Sequence, residues 1–206
     1  MTPVVRVDWV LTAVEIAGTL AFGLSGFIEA ARKRMDVVGV AAVTFFAAFG
    51  GGTLRDILLD RRPFFWVQHS EYVWAVLALV VAGTAGLRAA HLSPSARPML
   101  WADALGLGLF SASGAGLAWE MGQPAIVCAL MGVVTGVFGG VMRDVLCNEV
   151  PAIFADHRPY AVCSFAGAWS FLAVAWLQGP GWPALAAGIL VTAGLRLIAL
   201  ARDWRV

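Results

Sequence analysis

The chain has 206 residues, 60% of them hydrophobic and only 13% charged, with a formal net charge of +1 and a mean hydropathy of +0.81. Soluble domains of this size carry about 25% charged residues, so the composition is that of an integral membrane protein and leaves little chain for a soluble domain. The near-zero net charge excludes the basic footprint of a nucleic-acid binder. The three cysteines, Cys128, Cys147 and Cys163, form no CxxC pair and read as small buried hydrophobes.

Seven apolar segments approach the roughly 20 residues needed to cross a bilayer core: Val10–Ala30, Val37–Leu59, Tyr72–Leu92, Pro98–Ala118, Pro124–Leu146, Tyr160–Leu177 and Pro183–Leu200. Span one carries Glu15 about one turn in and Ser25-Gly26 deep in the segment. Span two runs apolar to Phe49 and then reads Gly50-Gly51-Gly52-Thr53-Leu54-Arg55-Asp56. The stretch before the glycines is too short to cross alone. Each glycine weakens a helix by about 1 kcal/mol relative to alanine. The triplet therefore predicts a break, which a membrane tolerates where it faces protein or a water-filled cavity; close helix packing at small residues is the other reading. Span four carries Asp103 and Ser113-Gly114. Span five repeats the design of span two with Gly132, Gly136 and Gly139-Gly140 before Arg143-Asp144. Prolines 98, 124 and 183 fall at first turns, where a missing N–H is harmless. Trp9, Trp66, Trp101, Trp119, Trp182 and Trp204 fall near span ends, as an interfacial belt requires.

The chain repeats itself at an offset of 88 residues: Gly51-Gly52 and Arg55-Asp56 align with Gly139-Gly140 and Arg143-Asp144. The same offset pairs Glu15 with Asp103, Gly18 with Gly106, Phe22 with Phe110, Ser25-Gly26 with Ser113-Gly114, Pro63 with Pro151 and Tyr72 with Tyr160. Each copy holds three spans, so the second enters the membrane from the opposite side. The expected fold is all-α and integral to the membrane. It has seven transmembrane helices: an inverted repeat over about 8–92, a second over about 98–178 and a seventh helix over about 183–200, together a single membrane domain of residues 1–206. Inverted repeats are the layout of proteins that move small solutes. With the N-terminus outside, Arg32, Lys33, Arg34, Arg88, Arg97, Arg143, Arg158, Arg196, Arg202 and Arg205 collect inside, against Arg6, Arg55, Arg61 and Arg62 outside. The positive-inside rule thus places the C-terminus in the cytoplasm.

Charges within a span usually face a partner or a cavity. Neighbours on a helix do not face each other, so Arg55 and Arg143 are each expected to pair outside their own dipeptide, with Glu15 and Asp103 as first candidates. Glu15 and Asp103 could equally attract cations at a pore mouth or contact headgroups. Ser25 and Ser113 could coordinate a dehydrated cation or bond back to their own helix. Enzyme signatures are missing: the glycine triplet lacks the Lys-Ser/Thr ending of a phosphate loop, and His69, His91 and His157 show no metal-ligand spacing. No catalytic residue, metal site or cofactor is expected.

Phe22-Gly23-Leu24-Ser25-Gly26 followed by Gly50-Gly51-Gly52-Thr53-Leu54-Arg55-Asp56, echoed by Phe138-Gly139-Gly140-Val141-Met142-Arg143-Asp144, resembles the prokaryotic trimeric intracellular cation (TRIC) channel family, whose sequence domain is also labelled a putative glycine transporter. The resemblance covers nearly the whole chain. It implies a homotrimer in the bacterial inner membrane, each subunit with its own potassium-permeable, monovalent-cation pore lined by kinked spans two and five. Gly50, Gly51, Gly52, Thr53, Gly136, Gly139, Gly140, Ser25 and Ser113 are then the pore or hinge residues. Arg55, Asp56, Arg143, Asp144, Glu15 and Asp103 are the charged pairs. Membrane lipid and a second copy of the chain are the expected partners. The alternative is a secondary transporter for a small solute such as glycine.

Overall fold

The computed structural model describes residues 8–90, 95–155, 157–179 and 181–204. Arg6, His91, Leu92 and Arg205 of the sequence reading lie outside them. The described residues form α1 (Asp8–Arg32), α2 (Val37–Leu58), α3 (Phe65–Gln68), α4 (Ser70–Ala90), α5 (Ala96–Glu120), α6 (Ala125–Leu146), α7 (Ala152–Ala155), α8 (Ala161–Gln178) and α9 (Trp182–Ala201). Each expected span is a helix. The one-turn helices α3 and α7 are additions: both follow an Arg-Asp motif, and Pro63 and Pro151 stand just ahead of them.

Among the described residues, five of the seven long helices have both the length and the apolarity to cross a membrane: α1, α2, α4, α6 and α9. Helix α8 is apolar but shorter. Helix α5 is long enough but carries Arg97, Asp103, Glu120 and many glycines and serines. The reason is its position. It packs against α1, α6, α8 and α9, and its buried residues, running from Met99 to Ala118, occupy every face. A helix wrapped in protein does not need the apolar coat that lipid demands.

Helix ends repeat with the sequence. Asp60 and Asn148 close α2 and α6 in the left-handed region, at φ 51° and 57°. Behind them the N–H of Arg61 donates to Asp56 O and that of Glu149 to Asp144 O, at 2.8 and 2.9 Å. This is the six-to-one bond of a Schellman cap, and Asp and Asn are the side chains that best tolerate the left-handed turn. The chain thus reverses directly after each Arg-Asp motif.

The two halves meet through reciprocal contacts. A Cβ on Gly106 would lie 2.8 Å from the Phe22 ring, and one on Gly18 would lie 3.2 Å from the Phe110 ring. Phe22 and Phe110 stack on each other at 5.6 Å between centroids. At the crossing of α2 and α6, a Cβ on Gly51 would overlap the carbonyl oxygen of Thr135, and one on Gly139 would lie 2.6 Å from that of Ala47. Residues 18, 22, 47 and 51 plus 88 give 106, 110, 135 and 139, so each contact is its partner's image. Residue i touching j while j touches i is the mark of a two-fold relation.

The helix break expected at Gly50-Gly51-Gly52 is not there. Helix α2 runs unbroken from Val37 to Leu58, and α6 from Ala125 to Leu146. Gly50 faces the Met142 side chain and Gly52 the Phe65 ring, while close packing accounts for Gly51 and Gly139: without a Cβ, the backbones of α2 and α6 reach each other there. Gly132 and Gly136 do the same against α5, where added Cβ atoms would lie 2.7 Å from Ser111 O and 3.0 Å from Leu107 O.

Candidate functional site

A buried arginine lies near the C-terminal end of α2 and another near that of α6, each held by acidic residues. Arg55 Nη1 donates to Glu15 Oε1 of α1 at 2.7 Å, its Nε donates to Asp56 Oδ1 at 2.9 Å, and its Nη2 lies 2.8 Å from the same oxygen. Asp56 Oδ2 accepts the Phe65 N–H at 2.8 Å, tying the start of α3 to the cluster. The second cluster copies the first. Arg143 Nη1 donates to Asp103 Oδ1 of α5 at 2.5 Å, its Nε donates to Asp144 Oδ1 at 2.8 Å, and Asp144 Oδ2 accepts the Ala152 N–H of α7 at 2.9 Å. Glu15 and Asp103 are thus partners of Arg55 and Arg143, as expected. The expectation that each arginine pairs only outside its own dipeptide is corrected: the guanidinium is long enough to fold back onto the next residue's carboxylate, which the rule about helix faces does not consider.

The clusters stand at different depths. Arg55 meets α1 at Glu15, whereas Arg143 meets it at Ser25, whose hydroxyl oxygen accepts from Nη1 at 2.6 Å. Ten residues separate these points, about 15 Å along a helix. Between them lie the Phe22–Phe110 stack and the glycine crossing of α2 and α6.

The clusters also differ in their surroundings. Arg55 and Asp56 are wholly buried, and the Phe65 ring lies 5.4 Å from the guanidinium and covers Gly52. Arg61 approaches Asp56 at 3.8 Å from the loop. In the second cluster Arg143 is 3% and Asp144 9% exposed, and the place over Gly140 is taken by polar atoms: a Cβ there would lie 2.7 Å from the Tyr160 hydroxyl and 3.2 Å from Asp103 Oδ1. Arg196 of α9 lies over the Tyr160 ring at 4.6 Å and donates to Pro159 O at 3.1 Å, bracing this end from the seventh long helix.

The structure therefore gathers Glu15, Arg55 and Asp56 at one level and Ser25, Asp103, Arg143 and Asp144 at the other, with Gly52 and Gly140 beneath them. It does not bring Ser113 to either cluster; that hydroxyl donates to Phe110 O of its own helix at 3.4 Å. Gly51, Gly136 and Gly139 lie in helix packing. Gly50 and Thr53 line an open apolar groove, where Thr53 donates to Phe49 O at 2.7 Å and accepts from Trp66 Nε1 at 3.0 Å. Phe65, Ala152, Tyr160 and Arg196 join the clusters without having stood out in the sequence as site residues. The pairing of Tyr72 with Tyr160 and of Pro63 with Pro151 was the available signal for the first three, whereas Arg196 has no repeat counterpart to give it away. Among the described residues no group of His, Cys, Asp and Glu could hold a metal ion.

Comparison with known proteins gives this arrangement a family. The family model described as "Glycine transporter" matches residues 12–87 and again 100–176, two stretches whose starts are 88 residues apart. The UPF0126 inner membrane protein YadS of Escherichia coli K12 is 34% identical over 188 residues, 91% of this chain and 90% of that protein. A UPF0126 membrane protein of Deinococcus radiodurans is 34% identical over 196 residues, 93% of this chain and 87% of that protein. Among solved structures, the TRIC trimeric intracellular cation channel orthologue from Rhodobacter sphaeroides superposes with a TM-score of 0.85 at 35% identity, covering 95% of this chain and 99% of that one. A second structure, of a TRIC cation channel studied for conductance, gives 0.83 at 33% identity over 95% of both chains. The chain is a multi-pass membrane protein, and by these matches it belongs to the TRIC channel family, the same family whose sequence model carries the glycine-transporter description.

Proposed function

We propose that the protein is a monovalent-cation channel, permeable to potassium, that works as a homotrimer with one pore in each subunit. The observation that carries this reading is the whole-length likeness to TRIC cation channels at 35% identity. Seven helices span the membrane in this reading: α1, α2 and α4 form one repeat, α5, α6 and α8 its inverted copy, and α9 the seventh. The reciprocal contacts between halves and the two depths of the arginine clusters support the inversion. Helices α2 and α6 line the path. The second cluster sets one guanidinium, Arg143, against two carboxylates, Asp103 and Asp144, whereas Arg61 adds a second cation beside Asp56 in the first. A local excess of negative charge favours cations over anions along a low-dielectric path. The protein lies in the bacterial inner membrane with its N-terminus outside and its C-terminus in the cytoplasm.

The family description supports a second reading, secondary transport of a small solute such as glycine. Liposomes separate the two. Purified protein reconstituted with trapped potassium should release it when sodium replaces potassium outside, at a rate that rises linearly with the gradient, and should not accumulate glycine. Saturable glycine uptake without potassium release favours the transporter.

A further inference from the structure

The open groove on α2 has a composition and a setting that neither cluster explains. Phe46, Gly50, Leu54 and Ile57 line it from α2, Phe138 from α6 and Trp66 from α3, around a cavity of about 350 Å³. Its wall on α2 extends from Phe45 to Ile57, about 18 Å of helix. One leaflet of a bilayer core about 30 Å thick is roughly 15 Å deep, so the groove is one leaflet long. Its floor holds Gly50 against Met142 and Phe138, where an added Cβ would lie 3.2 Å from the Met142 side chain. Its one hydroxyl, on Thr53, is already engaged with Phe49 O and Trp66 Nε1.

Trp66 lies along the groove, its ring 5.7 Å from Phe45 and 6.0 Å from Phe49, and a basic side chain stands beyond it. The Trp66 ring is 6.2 Å from Phe64, and the Arg62 guanidinium lies over the Phe64 ring at 4.2 Å. Arg62 is exposed, and among the described residues no carboxylate pairs with it. Arg61 beside it is already directed at Asp56. An apolar slot one leaflet deep, flanked by a tryptophan and with an unpaired arginine beyond it on the Phe64 ring, has the amphipathic shape of a single lipid. We propose that this groove holds an acyl chain of an anionic phospholipid whose phosphate sits at Arg62. The chain would lie on Gly50, one residue from the Gly51 contact that sets the crossing of α2 and α6, so its occupancy bears on the spacing of those helices. The inference rests on reading these helices as membrane spans and stands independently of which solute crosses.

Native mass spectrometry of the full chain, purified in mild detergent and supplemented with phosphatidylglycerol, tests it without any measurement of flux. Wild type should retain about one phosphatidylglycerol per protomer. Ile57→Trp, which fills the groove from an exposed position, should lose it. Arg62→Gln should weaken retention about fivefold, the factor for one basic side chain beside an anionic headgroup. Val81→Trp, on the exposed side of α4 away from the groove, should retain the wild-type amount. Wild-type retention in both groove variants would overturn the proposal, as would equal loss in Val81→Trp, which marks unselective surface lipid. Loss of all lipid from wild type, with Ile57→Trp breaking the oligomer, would also overturn it and assign the groove to a second copy of the chain.

Discussion

Arg55 has no exposed surface and faces Glu15 and Asp56, so removing it leaves Glu15 buried without a cation and Asp56 with Arg61 alone, at 3.8 Å. Breaking a buried pair in this way destabilises by about 3–5 kcal/mol. Arg55→Ala should therefore lower the thermal midpoint in detergent sharply, and Arg143→Ala should do the same at the symmetric position. The double variant Arg55→Ala with Glu15→Gln should recover part of the loss, because one stranded charge is gone, and a mutant cycle reads that coupling. Wild-type melting of both arginine variants would make these side chains surface anchors. The partners of the arginines were legible in the sequence because the repeat puts an acid at the same place in both halves. The bond inside each dipeptide was not, because it depends on how a flexible guanidinium folds, which helical spacing does not describe. The contact of Ser25 with Arg143 was hidden too, since it joins the two repeats and has no image at Ser113.

At the scale of elements, the crossing of α2 and α6 depends on two glycines. A Cβ at Gly51 or Gly139 meets a carbonyl oxygen of the facing backbone, which cannot turn aside as a side chain could. Gly51→Ala and Gly139→Ala should each cost at least the roughly 1–3 kcal/mol of an overpacked core. Gly194 in α9 meets nothing within 4 Å, so Gly194→Ala should be neutral or should gain up to about 1 kcal/mol from helix propensity. Thermostability of the three variants in one detergent checks the order; equal melting would remove the crossing from the account. The long helices were legible from hydropathy and length. The role of the glycines was not, because a triplet that weakens a helix also permits a close crossing, and only the facing backbone decides between the two. Helices α3 and α7 are one turn each, too short to show a period, and the repeated prolines before them were their only trace.

For the whole molecule, the repeat offset implied two related halves, and the pairing of Phe22 with Gly106 and of Phe110 with Gly18 gives their two-fold relation a physical form. The identity of α5 as the central helix was not legible, because its low apolarity reads as a weak span when it reflects burial in protein. Orientation is open to a direct check. In a cysteine-free background, a membrane-impermeant thiol reagent applied to spheroplasts should label Arg62→Cys and spare Lys33→Cys; the reverse pattern would turn the molecule over. The central claim is cation conduction, and planar-bilayer recording of the purified wild-type protein under a KCl gradient tests it most directly. Discrete openings are expected, with a current that reverses at the potassium equilibrium potential. A reversal at the chloride potential, or silent bilayers from protein that takes up glycine saturably in liposomes, would contradict it.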